Sequence, residues 1–172
     1  MDFSQHLRLI PDYPKPGIIF QDITTLLGNS EVFRAAVQQI AGHYRSKGIT
    51  KVVGVESRGF ILGAAVAYEL GVGLALMRKK GKLPCKTYSI EYALEYGTDT
   101  IEIHQDALKP ADKALITDDI IATGGTAHAS LELVRMFNIP DENIFVCFLL
   151  DIRDVQGKEK ELLRKHGYFS LI

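Results

Sequence analysis

The sequence ALITDDIIATGGTAHAS, residues 114–130, decides the fold of this chain. It starts with a short apolar run, ALIT (114–117), which is typical of a buried strand. The chain then passes through Asp118 and Asp119 into the loop ATGGT (122–126), and a helical pattern runs from Thr126 to Phe137. A strand that enters a helix through a glycine-rich loop predicts a βαβ unit, whose ligands bind at the carboxyl edge of the sheet.

The loop has the composition of a phosphate-binding site. Ala122, Thr123, Gly124, Gly125 and Thr126 offer successive backbone N–H groups at a helix N-terminus. The two glycines allow a ligand to approach the backbone closely, and the threonines add hydroxyl donors. Such a nest of donors suits a phosphate monoester.

The acidic pair in front of the loop predicts a sugar site. Two adjacent carboxylates accept hydrogen bonds from vicinal hydroxyls, so a ribose 5-phosphate spans the motif with its 2- and 3-hydroxyls on Asp118 and Asp119. An isolated GG pair would indicate only a flexible loop and a helix cap. Here the full order of strand, DD, ATGGT and helix makes the pattern specific. The chain has neither a Walker loop nor GxGxxG, which disfavours an ATPase or a dinucleotide enzyme.

The remaining patterns predict an α/β fold, with an open, mostly parallel twisted sheet flanked by helices. Further strands are expected at 51–55, 74–79 and 144–150, with a last short strand at 168–172. Helices are expected at 31–47, 58–70 and 126–137, and a charged surface helix at 157–167. Residues 88–104 alternate polar and apolar side chains around Gly97, which favours an antiparallel flap. No linker divides the chain, so we expect a single domain over 1–172.

Composition narrows the class of protein. The 172 residues are 47% hydrophobic and carry a formal net charge of −1, which gives no global field for nucleic acid or an anionic membrane. No apolar run reaches the ~18 residues of a membrane span. Cys85 and Cys147 are far apart and indicate reduced thiols in a cytoplasmic protein. The five histidines lack ligand spacing, so no residues are assigned to a protein metal site.

A second anion site is predicted at the same edge of the sheet. Glu56, Ser57 and Arg58 follow the strand 51–55, and Arg58 leads into a helix. The strand at 74–79 ends in a cluster of four cations, Arg78, Lys79, Lys80 and Lys82. Together with the ribose site, these groups fit a pentose that carries a 5-phosphate and a 1-pyrophosphate. Such a diphosphate needs Mg²⁺, held mainly by the oxygens of the ligand itself and by water.

The motif at 114–126 resembles the phosphoribosyl-pyrophosphate signature of type I phosphoribosyltransferases. Other segments narrow the resemblance to the adenine phosphoribosyltransferase family over nearly the entire chain. These segments are YPKPGIIFQDIT (13–24), VGVESRGFILG (53–63), LMRKKGKLP (76–84) and LEYGTDTIEI (94–103). They occur in that family's order and approximate spacing.

The resemblance implies transfer of a phosphoribosyl group from phosphoribosyl pyrophosphate to N9 of adenine, giving AMP and pyrophosphate for purine salvage by a homodimer. It implies a hood over the base (about 1–29) and a loop, matching Leu83 to Gly97, that closes over the site. The alternating pattern of the flap (about 83–104), with bends at Leu83, Pro84 and Gly97, predicts that it is mobile without ligand. Phe20 would stack on the base while backbone groups around Ile19 and Gln21 read its edge. The family often has Arg at position 21, so the resemblance assigns no role to the Gln21 side chain.

The resemblance also implies catalytic roles for two residues of the loop LEYG. Glu95 matches the family's loop carboxylate and would hydrogen-bond the purine near N7 as N9 attacks, while Tyr96 would help to close the lid. No strong protein nucleophile is needed, because pyrophosphate leaves C1 through an oxocarbenium-like state.

Two other functions stay open from the sequence. One is a phosphoribosyltransferase for another base, a 6-oxopurine or orotate, because the sugar-phosphate motif is shared. The hood and the loop LEYG discriminate between these bases. The other is a non-catalytic regulator that keeps the pocket as a sensor, although neither a DNA-binding domain nor a basic arm is visible in the sequence.

Overall fold

The alternation of strands and helices expected from the sequence is present in a computed structural model, which describes residues 1–93 and 97–172. The strands are β1 (Arg8–Pro11), β2 (Ile19–Asp22), β3 (Lys51–Val55), β4 (Gly73–Lys79), β5 (Thr87–Ala93), β6 (Thr98–His104), β7 (Ala114–Ile121), β8 (Ile144–Asp151) and β9 (Phe169–Ser170). The helices are α1 (Thr24–Leu27), α2 (Ser30–Tyr44), α3 (Gly59–Leu70), α4 (Gly125–Arg135) and α5 (Lys158–His166).

In the described residues, the main sheet has the strand order β5-β6-β4-β3-β7-β8-β9. Strand β3 pairs in parallel with β4 and β7, and the parallel pairing continues from β7 to β8 and from β8 to β9. Strand β6 is antiparallel to both β4 and β5. Strands β1 and β2 form a separate antiparallel pair within the predicted hood. The prediction of an open, mostly parallel sheet flanked by helices is confirmed.

The central strands are buried on both faces, as their continuous apolar runs predict. Neighbouring residues point to opposite sides: Val52 and Leu115 belong to one core cluster, and Val53 and Ile116 to the other. Helices α2 and α3 cover the first face through residues such as Ile40 and Leu62, whereas α4 covers the second.

This arrangement creates a switch point between β3 and β7. The helix after β3 packs on one face of the sheet and the helix after β7 on the other. The two connections therefore diverge at the carboxyl ends of adjacent strands and leave a crevice between them, which is where open α/β sheets bind ligands. Strand β7 also continues to Ile121, beyond its pairing with β3 that ends at Thr117.

Two details differ from the sequence prediction. Strand β7 was expected to end at Thr117, but its ladder with β8 continues through Asp118, Ile120 and Ile121. The acidic pair is thus part of the strand and not of the loop. Helix α5 was expected to be a surface helix, but Lys160 is fully buried in it and Leu163 belongs to the core.

The predicted flap is part of the main sheet at its base. Strands β5 and β6 pair with each other, and Ile101 and Ile103 of β6 are buried in the core. The prediction of a mobile lid therefore does not extend to these two residues. Glu95 and Tyr96 lie outside the described residues.

The two cysteines are unpaired thiols, Cys85 exposed and Cys147 buried. Among the described helices, none has the length and apolar character to cross a membrane.

Candidate active site

A crevice of about 450 Å³ lies at the switch point between β3 and β7. Its walls are residues 56–58 after β3 and residues 118–127 from the end of β7 to the first turn of α4. Lys79, Tyr92 and Asp99 complete the lining. The acidic pair, the entire ATGGT loop, Glu56, Ser57, Arg58 and Lys79 are thus brought together as predicted. Arg78 and Lys82 do not line this crevice.

The ATGGT loop forms the N-terminal end of α4. Gly124 is the residue before the helix and has a left-handed backbone with φ of 91°. The first N–H groups of a helix lack intrahelical acceptors and carry the positive end of its dipole, so they attract a phosphate. Gly124 also touches the backbone of α5: a Cβ there would lie 2.6 Å from Lys160 N.

This contact makes Gly124→Ala an informative variant. A left-handed alanine costs roughly 1–2 kcal/mol, and the collision with Lys160 additionally displaces the loop. For phosphoribosyl pyrophosphate, the substrate that the family resemblance implies, we expect the KM to rise about tenfold, equal to about 1.4 kcal/mol of binding, measured by steady-state kinetics. Gly71→Ala is the control, because Gly71 is also left-handed at φ of 70° but has open space around it. Equal KM values in both variants would contradict the role of this loop.

The acidic pair is linked to the cation after β3. The Arg58 guanidinium lies 2.5 Å from Asp119 Oδ2, and Asp119 is only 5% exposed. Asp118 accepts a hydrogen bond from the Asp119 backbone N–H at 2.9 Å. Burial of the Asp118 carboxyl group and repulsion by the negative charge of Asp119 raise the pKa of Asp118 well above its usual range. A hydroxyl donor or a cation that enters the crevice would stabilise the charged form of this carboxyl group.

Glu56 has cationic partners of its own. Its carboxylate accepts hydrogen bonds from the Arg78 guanidinium at 3.2 and 3.3 Å and from the Lys79 backbone N–H at 2.8 Å. The hydrogen bonds from Arg78 and then Lys79 hold the pKa of Glu56 below its usual range. An ionised carboxylate repels pyrophosphate, so the geometry favours a positioning role for Glu56, which fixes the end of β4.

Two crevice residues were missed by the sequence analysis. Tyr92 and Asp99 face each other across the β5–β6 pair and line the crevice. Asp99 forms an ion pair with Lys79 Nζ at 2.9 Å, and this contact lowers the pKa of Asp99 and raises that of Lys79. The alternating pattern of residues 88–104 indicated two antiparallel strands. It did not give the register that places Tyr92 opposite Asp99.

Comparison with known proteins identifies the family of this chain. A family model of the phosphoribosyl transferase domain matches residues 23–164. The chain is 53% identical over 153 residues to the adenine phosphoribosyltransferase of Neorhizobium galegae, covering 89% of this chain and 83% of that relative. The chain belongs to the adenine phosphoribosyltransferase family.

Solved structures agree with this membership. The enzyme of Giardia lamblia, complexed with 9-deazaadenine, is 39% identical with a TM-score of 0.91, covering 99% of this chain and 95% of that chain. The adenine phosphoribosyltransferase of Saccharomyces cerevisiae, complexed with adenine and an imino-altritol bisphosphate, is 32% identical with a TM-score of 0.87. That alignment covers 99% of this chain and 97% of the yeast chain.

The segment that the family resemblance assigns to the base lies beside the crevice. Ile19, Phe20 and Gln21 form strand β2 of the hood and are not part of the crevice lining. Gln21 lines a neighbouring cavity together with Leu150 and Asp151 at the carboxyl end of β8. Since Asp151 pairs with Ile121 of β7, this cavity opens at the same edge of the sheet as the crevice. The ring of Phe20 packs edge-on against Tyr13 at 5.2 Å.

Proposed function

We propose that this chain transfers the 5-phosphoribosyl group of phosphoribosyl pyrophosphate to N9 of adenine, giving AMP and pyrophosphate in purine salvage. One observation carries the proposal: the phosphate-binding loop, the acidic pair and the cations Arg58 and Lys79 line a single crevice. Each group has the chemistry required by one part of the donor. We place the reaction in the cytoplasm, in keeping with the unpaired thiols.

The donor is held by residues on both sides of the crevice. The N–H groups and hydroxyls of residues 122–126 donate to the 5-phosphate, and Asp118 and Asp119 accept hydrogen bonds from the ribose hydroxyls. Ser57, Arg58 and Lys79 bind the pyrophosphate, and positive charge is added by Arg78 at the end of β4 and by Lys82 in the loop that follows. Because Arg58 pairs with Asp119, binding of the donor exchanges this ion pair for contacts with pyrophosphate and ribose.

Magnesium accompanies the donor in this proposal. No group of three His, Cys, Asp or Glu side chains in residues 1–93 and 97–172 is arranged to hold a metal ion. The oxygen donors that fit Mg²⁺ are the carboxylates of Asp118 and Asp119 in the crevice, so most ligands come from the diphosphate and water. Mg²⁺ bound with the donor would supply positive charge to the leaving pyrophosphate.

The protein positions the reactants and excludes water. The bond between C1 and the pyrophosphate oxygen breaks, and its electron pair leaves with pyrophosphate. N9 of adenine forms the new bond to C1, and the proton of the adenine imidazole ring is released to Glu95 or to water. Arg58 and Lys79 stabilise the leaving charge. Glu95 accepts a hydrogen bond at the purine near N7, and Tyr96 helps the flap to close over the oxocarbenium-like centre, which protects it from water.

Adenine is selected by the hood in this proposal. Phe20 stacks on the purine, and backbone groups around Ile19 and Gln21 bind its edge, including the 6-amino group. A backbone carbonyl that accepts from this amino group would face the oxygen of hypoxanthine without a donor. The hood therefore discriminates against 6-oxopurines.

Formation of AMP tests the proposal. The purified protein is incubated with phosphoribosyl pyrophosphate, Mg²⁺ and adenine, and nucleotide and pyrophosphate are separated by ion-exchange chromatography. We expect AMP and pyrophosphate in equal amounts. Binding of phosphoribosyl pyrophosphate without any AMP would refute the enzyme and favour the non-catalytic sensor.

We further propose that the enzyme is a homodimer. Helix α3 has apolar residues on all sides, and those pointing away from the core remain exposed: Ile61 is 48% exposed and Tyr68 89%. Leu74 and Leu76 of the adjacent strand β4 are each 37% exposed. An apolar surface of this kind is typical of an interface between subunits.

Tyr68→Glu tests the dimer without disturbing the core. We expect wild-type protein to sediment at twice the 19.1 kDa mass of one chain and the variant to shift towards the monomer, because a carboxylate is costly to bury at an apolar interface. Met136→Glu is the control, since Met136 is similarly apolar and exposed but lies at the end of α4. A monomeric wild type, or a dimer unaffected by Tyr68→Glu, would refute this interface.

A further inference from the structure

Lys160 in helix α5 is a buried cation to which the proposed reaction assigns no role. Its side chain is fully buried. The ammonium group lies 2.6 Å from Asp151 Oδ1 and donates hydrogen bonds to the carbonyls of Ile152 at 2.7 Å and Val155 at 3.0 Å. One ion pair and two hydrogen bonds to carbonyls therefore surround the ammonium group. Any movement of these partners would leave a buried charge unpaired, so the ammonium group holds them in one arrangement.

The acceptors belong to the segment that borders the active site. Asp151 ends strand β8, and the Ile152 and Val155 carbonyls lie in the loop 152–157, which leads into α5. Asp151 also accepts a hydrogen bond from the Tyr168 hydroxyl at 2.7 Å. Burial opposes the ionisation of Asp151, but the hydrogen bonds from Lys160 and Tyr168 outweigh it, and its pKa lies below the usual range. The Lys160 ammonium group thus links the end of β8 and the loop 152–157 to helix α5.

The backbone of the same residue touches the phosphate-binding loop. Lys160 N–H donates to the Thr123 carbonyl at 3.1 Å. A Cβ on Gly157 would lie 2.4 Å from that carbonyl, and a Cβ on Gly124 would lie 2.6 Å from Lys160 N. The first turn of α5 therefore packs directly against Thr123 and Gly124, and no residue of α5 is part of the crevice lining.

We propose that Lys160 is a positioning residue for the phosphate-binding loop. Its side chain fixes the loop 152–157 and the start of α5, and its backbone then holds Thr123 and Gly124 in the conformation that presents N–H groups to a phosphate monoester. Lys160 does not touch the ligand. This inference rests on the proposed function, because it takes residues 122–126 as the site of the 5-phosphate.

Lys160→Met removes the charge but keeps an unbranched apolar side chain. We expect the KM for phosphoribosyl pyrophosphate and the Kd for ribose 5-phosphate to rise at least tenfold, measured by steady-state kinetics and titration calorimetry. We expect kcat at saturating donor to change less than threefold, because the reacting atoms lose no contact. Lys165→Met is the control, since Lys165 is exposed near the other end of the same helix.

A double variant separates positioning from stability. Lys160→Met leaves Asp151 buried without its cation, so we expect a lower thermal midpoint Tm. Lys160→Met/Asp151→Asn removes that uncompensated charge and should recover most of the loss in Tm. The Kd for ribose 5-phosphate should stay raised, because no donor replaces the bonds to the Ile152 and Val155 carbonyls. Recovery of both Tm and Kd would reduce Lys160 to a structural role and overturn the proposal.

Gly157→Ala tests the same route without changing any charge. Gly157 has an extended backbone with φ of −173°, which alanine adopts freely, so the effect comes only from the collision with the Thr123 carbonyl. We expect an increase in KM for phosphoribosyl pyrophosphate of at least fivefold. An unchanged KM would overturn the proposal even if the Lys160 variants failed to fold.

The failure of this proposal differs from the failure of the proposed function. If wild-type protein forms no AMP, the proposed function fails. If AMP forms and all these variants keep the wild-type Kd and KM, only the role of Lys160 is refuted.

Discussion

The variant Asp118→Ala/Asp119→Ala is expected to lose a factor of about 10²–10⁴ in kcat/KM for phosphoribosyl pyrophosphate. In the proposed complex each carboxylate accepts a hydrogen bond from a ribose hydroxyl, and a hydrogen bond to a charged group contributes roughly 1.5–3 kcal/mol. Steady-state kinetics at varied donor concentration measures the loss. The single variants should each account for part of it.

The fold should survive this change. The raised pKa of Asp118 means that the folded protein disfavours its charged form, so removing the carboxylate relieves an unfavourable burial. We expect a Tm equal to or above that of wild type for Asp118→Ala, measured by calorimetry. Asp106→Ala is the control, because Asp106 is exposed after β6 and away from the crevice. A doubly substituted protein with wild-type kcat/KM would show that the ribose binds elsewhere.

Glu95→Ala is expected to lower kcat about 10²-fold, the loss typical of a positioned acid or base. The affinity for phosphoribosyl pyrophosphate should change much less, since Glu95 is assigned to the base. The described end of the flap approaches the crevice: Tyr92 is part of its lining, and a Cβ on Gly125 would lie 2.9 Å from the Ala93 carbonyl. Strand β5 therefore reaches the phosphate-binding loop two residues before Glu95.

Single-turnover kinetics of Glu95→Ala isolates the chemical step from product release. The matched control is Glu91→Ala, because Glu91 is an exposed carboxylate of strand β5. An unaltered rate of the chemical step in Glu95→Ala would remove Glu95 from the mechanism and leave the phosphate site intact.

The fold was largely predictable because its strands and helices have strong local signals. The apolar runs at 51–55 and 144–150 are strands, and helix α2 begins where Asn29 accepts hydrogen bonds from the N–H groups of Glu31 and Val32. Element ends were less accurate. Strand β7 extends to Ile121 because β8 offers partners that far along the ladder, and such pairing depends on a distant segment of the chain.

The site was predictable where its residues are close in sequence, as in the ATGGT loop and the acidic pair. Contacts that depend on tertiary register were not. Asp99 approaches Lys79 only because β6 pairs with β4, and Glu56 is bound by Arg78 only because β3 and β4 end together. Lys160 belongs to a charged run that predicts a solvated helix, and its side chain is buried because its ammonium group contacts Asp151 and the carbonyls of Ile152 and Val155.

A competition between bases tests the central claim most directly. The protein is incubated with phosphoribosyl pyrophosphate, Mg²⁺ and equal concentrations of adenine, hypoxanthine, guanine and orotate, and the nucleotides formed are separated and quantified. A buried polar group left unpaired by the wrong base costs about 1–3 kcal/mol, or roughly one to two decades in specificity. The account predicts AMP in at least tenfold excess over every other nucleotide. Comparable amounts of AMP and a 6-oxopurine nucleotide, or orotidine monophosphate as the main product, would contradict it.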